Sequence, residues 1–338
     1  MVHLFPPRHV YFPSASTHES TVIFLHDRGS NGPELASDMA LSQDSSKQTI
    51  YDRFTATRWV FPSARAKHFY WTQAEQQQSR SEDNLPEWFE LVSRTEPESE
   101  DKKQIASLQE SVVYVLRIID EEVNRLHGKS EKVFVAGLGQ GMALALVVLL
   151  CTQRKLGGMI GINGWIPFSG TLTSLLERGE VSEAGSFFRT KIMSATPALQ
   201  QSPPHQHPPD FLQPLSAAIL HPLPPPPPPP PVPMITVDTV DTVTAKTMLP
   251  WGMKEIPVFI DHDDLANLPV KVSAGNTAQD IVQKLGFTHV SWRICAGPAT
   301  DQGDEKKIDP EFDDFTLRVP EQLDDINHFF ENVGLAKA

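Results

Sequence analysis

Apolar and polar positions divide the chain into short blocks whose period switches between that of a strand and that of a helix. Thr21 to His26 (TVIFLH) is continuously apolar, as in a strand buried on both faces of a parallel sheet. Asp27-Arg28-Gly29-Ser30-Asn31-Gly32 follows, a turn of residues that accept unusual dihedrals. Arg58 to Phe61 reads as a second strand, stopped at Pro62-Ser63-Ala64. From Lys103 to Leu126 the period changes: Ile105, Leu108, Val112, Val115 and Ile119 recur at spacings of three and four and predict a helix. Gly158 to Trp165 predicts a strand, Leu172 to Phe188 a helix, and Ile256 to Ile260 a strand running into an acidic turn, Asp261-His262-Asp263-Asp264. Thr277 to Leu285 predicts a helix stopped by Gly286, and Val290 to Ile294 a last strand. Gln322 to Val333 predicts a terminal helix with Leu323, Ile326, Phe329 and Phe330 on one face. Strands alternating with helices imply an α/β fold, a mostly parallel sheet with helices on both faces. Ligands of such sheets bind at the carboxyl ends of the strands, where His26, Gly139 and Trp165 would meet.

The centre of the pattern is Glu131 to Cys151. A short β-branched and aromatic run, Val133-Phe134-Val135, ends at Gly137-Leu138-Gly139-Gln140-Gly141, and an apolar helix-forming run, Met142 to Leu150, follows at once. Strand, tight turn and buried helix is the context of a G-x-S-x-G nucleophile elbow. The outer glycines are present, as backbone crowding at such a turn demands. The middle position is Gly139, where the serine hydroxyl would stand. Two other readings compete for these five residues. One is a plain glycine-rich strand-to-helix turn. The other is a dinucleotide loop, but the third glycine of G-x-G-x-x-G would fall on Met142, and no Asp or Glu occurs between Val133 and Leu176 to hold a ribose.

Beyond Ser169 the character changes. After Ala195 the chain turns to Gln, His and Pro and reaches an unbroken proline run, Pro224–Pro231, that extends as polyproline II rather than helix or sheet. The expected organisation is one α/β domain built from residues 1–170 and 251–335, interrupted by a disordered, low-complexity Pro-rich insert at 171–250. The proline run could dock in an aromatic-lined groove of the SH3 or WW type. Translated intron in the gene model is a further account of the insert.

A net charge of -13 argues against nucleic acid and anionic membranes, which need a basic surface. The longest apolar run, Met142 to Cys151, is about half of what a membrane span requires, so no transmembrane segment is expected. The N-terminus lacks the charged-then-apolar pattern of a signal peptide. Two cysteines in apolar contexts, Cys151 and Cys295, fit a reducing compartment, and the expectation is a soluble, cytoplasmic protein without a cofactor. His262 with Asp261, Asp263 and Asp264 reads as a solvated acidic loop rather than a metal site, because no second segment converges on it. Cys295 reads as a packed strand residue with no candidate base nearby.

In order and spacing, these pieces resemble the carboxylesterase, phospholipase and acyl-protein thioesterase family of small α/β-hydrolases, most closely its fungal branch. FLHDRGSNGPELA at Phe24 to Ala36 is similar to the family's oxyanion loop L-H-G-x-G-x-x-G, and RWVFPSA at Arg58 to Ala64 to its F-P-x-A strand end. Glu87-Trp88-Phe89-Glu90 resembles its W-F-D segment, and NGWIPF at Asn163 to Phe168 its S-G-W-L-P-F. VFIDHDD at Val258 to Asp264 resembles the strand and turn that carry its aspartate, and VPEQLDDINHFF at Val319 to Phe330 its closing helix. The resemblance implies the α/β-hydrolase fold and an acyl ester, acyl thioester or lipid-like ligand. It also implies a site whose pocket includes His26, Trp88 and Trp165, with an oxyanion hole made by the backbone N–H groups of Arg28 and Gln140.

Carried over residue by residue, the triad is missing. The nucleophile falls on Gly139; the aspartate on Ala266, or on Asn267 with one residue inserted; the histidine on Phe315, or on Asp304 in a gapped alignment. No histidine occurs between His289 and His328. Acyl transfer needs a nucleophile, a base in reach of it and a group that orients the base. The resemblance therefore implies a pseudoenzyme, with a hydrolase using an unorthodox nucleophile such as Ser30 or Ser63, or a polyproline-mediated interaction protein, as alternatives. Asp27 replaces the loop's glycine. Its carboxylate would oppose a developing oxyanion unless it points to solvent or pairs with Arg28.

Overall fold

A computed structural model of the chain describes residues 5–65, 85–91, 102–193, 252–263, 270–295, 317 and 319–335. The proline run Pro224–Pro231 lies outside them, as do Asp264, Ala266, Asn267, Asp304 and Phe315. Seven strands form one sheet: β1 (His9–Tyr11), β2 (Ser20–Leu25), β3 (Thr57–Phe61), β4 (Val133–Leu138), β5 (Gly158–Ile162), β6 (Val258–Asp263) and β7 (Val290–Cys295). Their order is β1-β3-β2-β4-β5-β6-β7, parallel throughout except for β1, which runs antiparallel to β3. Strands on either side of residues 194–251 thus belong to the same sheet, because β6 pairs with β5 from Met159↔Val258 to Ile162↔Asp261.

The helices are α1 (Gly32–Leu41), α2 (Ile50–Arg53), α3 (Lys102–Arg125), α4 (Gln140–Cys151), α5 (Ser169–Glu177), α6 (Val181–Phe188), α7 (Val272–Lys284) and α8 (Glu321–Asn332). Alternation along each strand sorts them into two layers. In β2, Val22 and Phe24 face one core, with Leu35, Met39, Ile50, Leu323 and Phe330 of α1, α2 and α8. Ile23 and Leu25 face the other, with α3, α4, α6 and α7. Every residue of α4 is buried. A helix apolar all round is held by neighbours on all sides rather than by an amphipathic face, and α4 lies between the sheet and its outer helices. Polar contacts join α2 and the loop before it to α8: Arg53 donates to Glu331 Oε1 at 2.9 Å in a half-buried contact, and Asn327 Nδ2 to Asp44 Oδ2 at 3.1 Å in a buried one.

The structure departs from the sequence pattern in several places. β1, three residues long and mostly exposed, carries no alternation that would have marked it. α1 and α2 were not expected either. α1 starts on Asn31, whose side chain accepts the Glu34 N–H, with a proline in its first turn; α2 is a single turn closed by a capping box between Thr49 and Asp52. The helix expected over Leu172 to Phe188 is two, broken where Gly179 takes φ 77°. The strand expected to reach Trp165 stops at Ile162, since Asn163 adopts the left-handed region at φ 53°. The acidic segment is a correction. Asp261, His262 and Asp263 are not a solvated turn but the buried end of β6, still paired with β7.

Phe330 is the aromatic hub of the α8 layer. It is fully buried and meets Phe54, Trp59 and Phe134 edge-on at centroid distances of 5.6, 5.8 and 5.8 Å. Phe330→Ala is expected to cost roughly 3–5 kcal/mol in urea unfolding. A loss below about 1 kcal/mol would mean that α8 is not docked as described.

Candidate functional site

The turn between β4 and α4 has the geometry of an elbow, and the backbone explains its glycines. A Cβ on Gly137 would stand 2.3 Å from the carbonyl of Gly141, and one on Gly141 would stand 2.3 Å from the carbonyl oxygen of Leu25. Neither atom can move without displacing main chain. Gly139, at the apex, has φ 48° and ψ -115°, and its N–H is held by the Ile162 carbonyl at 2.8 Å. That is the strained apex conformation an elbow nucleophile requires, although Gly139 itself is buried.

The space beside Gly139 is filled. A Cβ there would lie 2.0 Å from Oδ1 and 2.2 Å from Cγ of Asp27. Asp27 is 5 % exposed, and its Oδ1 accepts the backbone N–H of Gln140 at 2.6 Å. One of the two groups that the resemblance assigned to the oxyanion hole, the Gln140 N–H, therefore already holds an anion. The placement is physically comfortable, because Gln140 opens α4 and a helix N-terminus favours negative charge. The side chain does not point to solvent, as one alternative had it.

The other site residues brace this arrangement. His26 is fully buried: its Nε2 accepts the Ala64 N–H at 2.9 Å, which leaves Nδ1 to donate to the Asp27 carbonyl at 2.5 Å. Burial pushes its pKa down to about 4, so the ring is neutral and fixed as one tautomer. Trp88 donates its indole N–H to the His26 carbonyl at 2.8 Å, its ring centroid 4.8 Å from the imidazole. The Gln140 side chain clamps the same segment, accepting from Trp88 N and donating to the Phe89 carbonyl, both at 2.8 Å. Phe89 meets Trp165 edge-on at 6.2 Å, and Trp165 lines a small cavity of about 90 Å³ with Ile166, Ser169, Ser273, Ala274 and Thr277. Arg28 turns its side chain to Glu87, 3.2 Å away. Ser63, weighed as a substitute nucleophile, is buried and accepts the Gly32 N–H at 3.0 Å.

So Gly139, Gln140, His26, Trp88 and Arg28 share one loop cluster, with Trp165 reached through Phe89. Asn267 and Phe315 lie outside the described residues. The sequence pattern missed two things: the Gln140 side chain as a clamp, and the seat that Asp27 takes at the elbow. A glycine at the apex beside an acid in the loop that crosses it was the available signal.

A doubly wound sheet with a glycine-framed elbow after its fourth strand is the architecture of an α/β-hydrolase. Residues 9–182, just over half of the chain, match the family model described as phospholipase/carboxylesterase, and the chain belongs to that family. Over 168 residues it is 27 % identical to acyl-protein thioesterase 1 of Yarrowia lipolytica, covering 49 % of this chain and 65 % of that one. Over 153 residues it is 31 % identical to the carboxylesterase SOBER1 of Arabidopsis thaliana, covering 45 % and 60 %. The matched stretch thus spans less than two thirds of these relatives. In three dimensions it resembles Zea mays acyl-protein thioesterase 2, with TM-score 0.52 and 15 % identity over 98 % of this chain and all of that one. No helix among the described residues is long and apolar enough to cross a membrane.

Gly139→Ser alone is expected to cost roughly 1–3 kcal/mol, since the new side chain collides with the Asp27 carboxylate. Adding Asp27→Gly should recover most of that loss in chemical denaturation. Equal losses in the single and double variants would show that the two side chains do not compete for one space. For His26, the depressed pKa means that below its ordinary value of 6.5 the unfolded chain binds a proton the native chain refuses. Its contribution to stability, about 3 kcal/mol, is full above pH 6.5 and fades as the pH falls towards 4. In His26→Asn, the slope of unfolding free energy against pH should flatten over that window. An unchanged slope would remove His26 as its source.

Proposed function

We propose that this phospholipase/carboxylesterase-family protein is a pseudoenzyme, retaining the hydrolase frame but not acyl transfer. The observation that carries this reading is the Asp27 carboxylate at the elbow. It stands where a nucleophile would stand, against a glycine with no side chain to offer, and it occupies the Gln140 N–H. A substrate carbonyl placed there would develop negative charge against a carboxylate rather than against a free donor. The sequence supports the same conclusion, with glycine at 139 and no histidine between His289 and His328 to serve as base. Loss of the serine alone removes about a million-fold of turnover in a serine hydrolase, and the residual catalysis depends on the hole that Asp27 here fills. What such a chain retains is binding or regulation through the frame, towards an acyl ester, acyl thioester or lipid-like ligand of the kind its family handles.

The test is turnover of a short-chain aryl ester and an acyl thioester by the purified protein, beside a heat-denatured sample, with fluorophosphonate labelling in parallel. The expected result is no rate above the denatured sample and no label. A saturable rate with a labelled residue would overturn the reading and locate the nucleophile.

A further inference from the structure

A second group of buried functional side chains lies away from the elbow, at the β6–β7 edge of the sheet. The register pairs Asp261 with Arg293 and Asp263 with Cys295, so all four lie on one face. That face is the one α8 covers, as the stacking of Phe259 on Phe329 at 5.7 Å shows. Asp325 of α8 reaches down to it and pairs with Arg293. Asp261, Cys295 and Asp325 are 0 %, 8 % and 7 % exposed, and they bring one carboxylate oxygen, the thiol sulfur and a second carboxylate oxygen within 4.8 Å of one another.

This is an expensive arrangement for a folded chain. Among the described residues Asp261 makes no ion pair, and the Arg293 guanidinium that favours its charge is bonded to Asp325 instead. Among the same residues the Asp261 Oδ2 meets the Cys295 thiol at a long 3.8 Å, and the Asp261 Oδ1 has no hydrogen-bonded side-chain partner. The His262 backbone N–H faces the same carboxylate. The Arg293 side chain, 59 % exposed, reaches Asp325 from the solvent side. A buried carboxylate is settled by a paired charge, by metal coordination or by taking up a proton.

We propose that Asp261, Cys295 and Asp325 bind a single divalent transition-metal ion of the zinc type. Two carboxylates and a thiolate are a borderline-soft donor set that suits Zn²⁺ and Co²⁺, whereas Mg²⁺ and Ca²⁺ take oxygen ligands alone. Tetrahedral zinc spaces such ligands at about 3.3–3.8 Å, so the three atoms need draw in by only about 1 Å. Three protein ligands leave a fourth position for water or a small ligand. Binding displaces the thiol proton to solvent, and the ion adds positive charge between the two carboxylates.

The test uses the full chain, stripped with a chelator and titrated with Co²⁺ and then Zn²⁺. One Co²⁺ per chain is expected, with thiolate-to-cobalt charge-transfer absorption that Zn²⁺ bleaches. Cys295→Ser should abolish that band, while Cys151→Ser, altering the chain's other cysteine, should keep it. Asp261→Asn, which removes a buried charge at nearly constant shape, should weaken Zn²⁺ binding roughly 100-fold or more, since even outer-shell partners of a metal are worth 10–100-fold. It serves as the second variant if Cys295→Ser does not fold by circular dichroism. The chain has 12 histidines that could hold zinc elsewhere. Zn²⁺ binding unchanged in Asp261→Asn, or a native chain without the cobalt band, would therefore overturn the proposal.

Discussion

How closely the β4–α4 turn approaches the end of β2 governs the carboxyl edge of the sheet. Gly141 lies against the Leu25 carbonyl and Gly137 against Gly141, main chain to main chain. Nothing but hydrogen fits between them. That contact carries the loop after β2 across the N-terminus of α4 and sets residue 27 beside the first N–H of the helix. In a hydrolase the gap so formed is where carbonyl chemistry takes place. Here a carboxylate two residues beyond Leu25 closes it, and the neutral, doubly bonded imidazole of His26 holds the loop in place.

Two of the buried acids at the sheet's carboxyl edge stand in opposite circumstances. Asp27 receives a short hydrogen bond from a helix N-terminus, which offsets the cost of leaving water. Asp261 meets a second carboxylate and a weak thiol donor. One acid is solvated by the backbone and completes a local structure. The other stores unfavourable electrostatics at a strand end, where α/β sheets commonly carry their chemistry. Residue type would not separate them; their surroundings do.

The larger architecture was legible because periodicity reports burial. The apolar run of β2, the three-and-four spacing of α3 and the aromatic face of α8 each lie where the pattern put them. What escaped the pattern was either too short to have a period or set by tertiary contact. β1 has three residues, and α2 is a single turn held by its cap. The acidic end of β6 was read as solvated because charged residues rarely enter a strand core. Here β7 and α8 enclose it, and neither neighbour is visible from the local sequence. The elbow could be read from its glycines, whereas the occupant of the elbow comes from a loop more than a hundred residues earlier.

α4 also bears on how the chain must fold. Twelve consecutive residues without an exposed position have no solvent face to present at any stage. Until β4 and β5 lie beneath them and α3 and α6 cover them, they form an apolar segment open to association with other chains. β5 gains its second neighbour only when β6, beginning at Val258, has been synthesised and has crossed back. A parallel sheet completed by such distant pairings forms slowly. The same close packing that makes the elbow rigid in the native state therefore leaves the nascent chain with a long exposed interval, in which chaperone binding competes directly with aggregation.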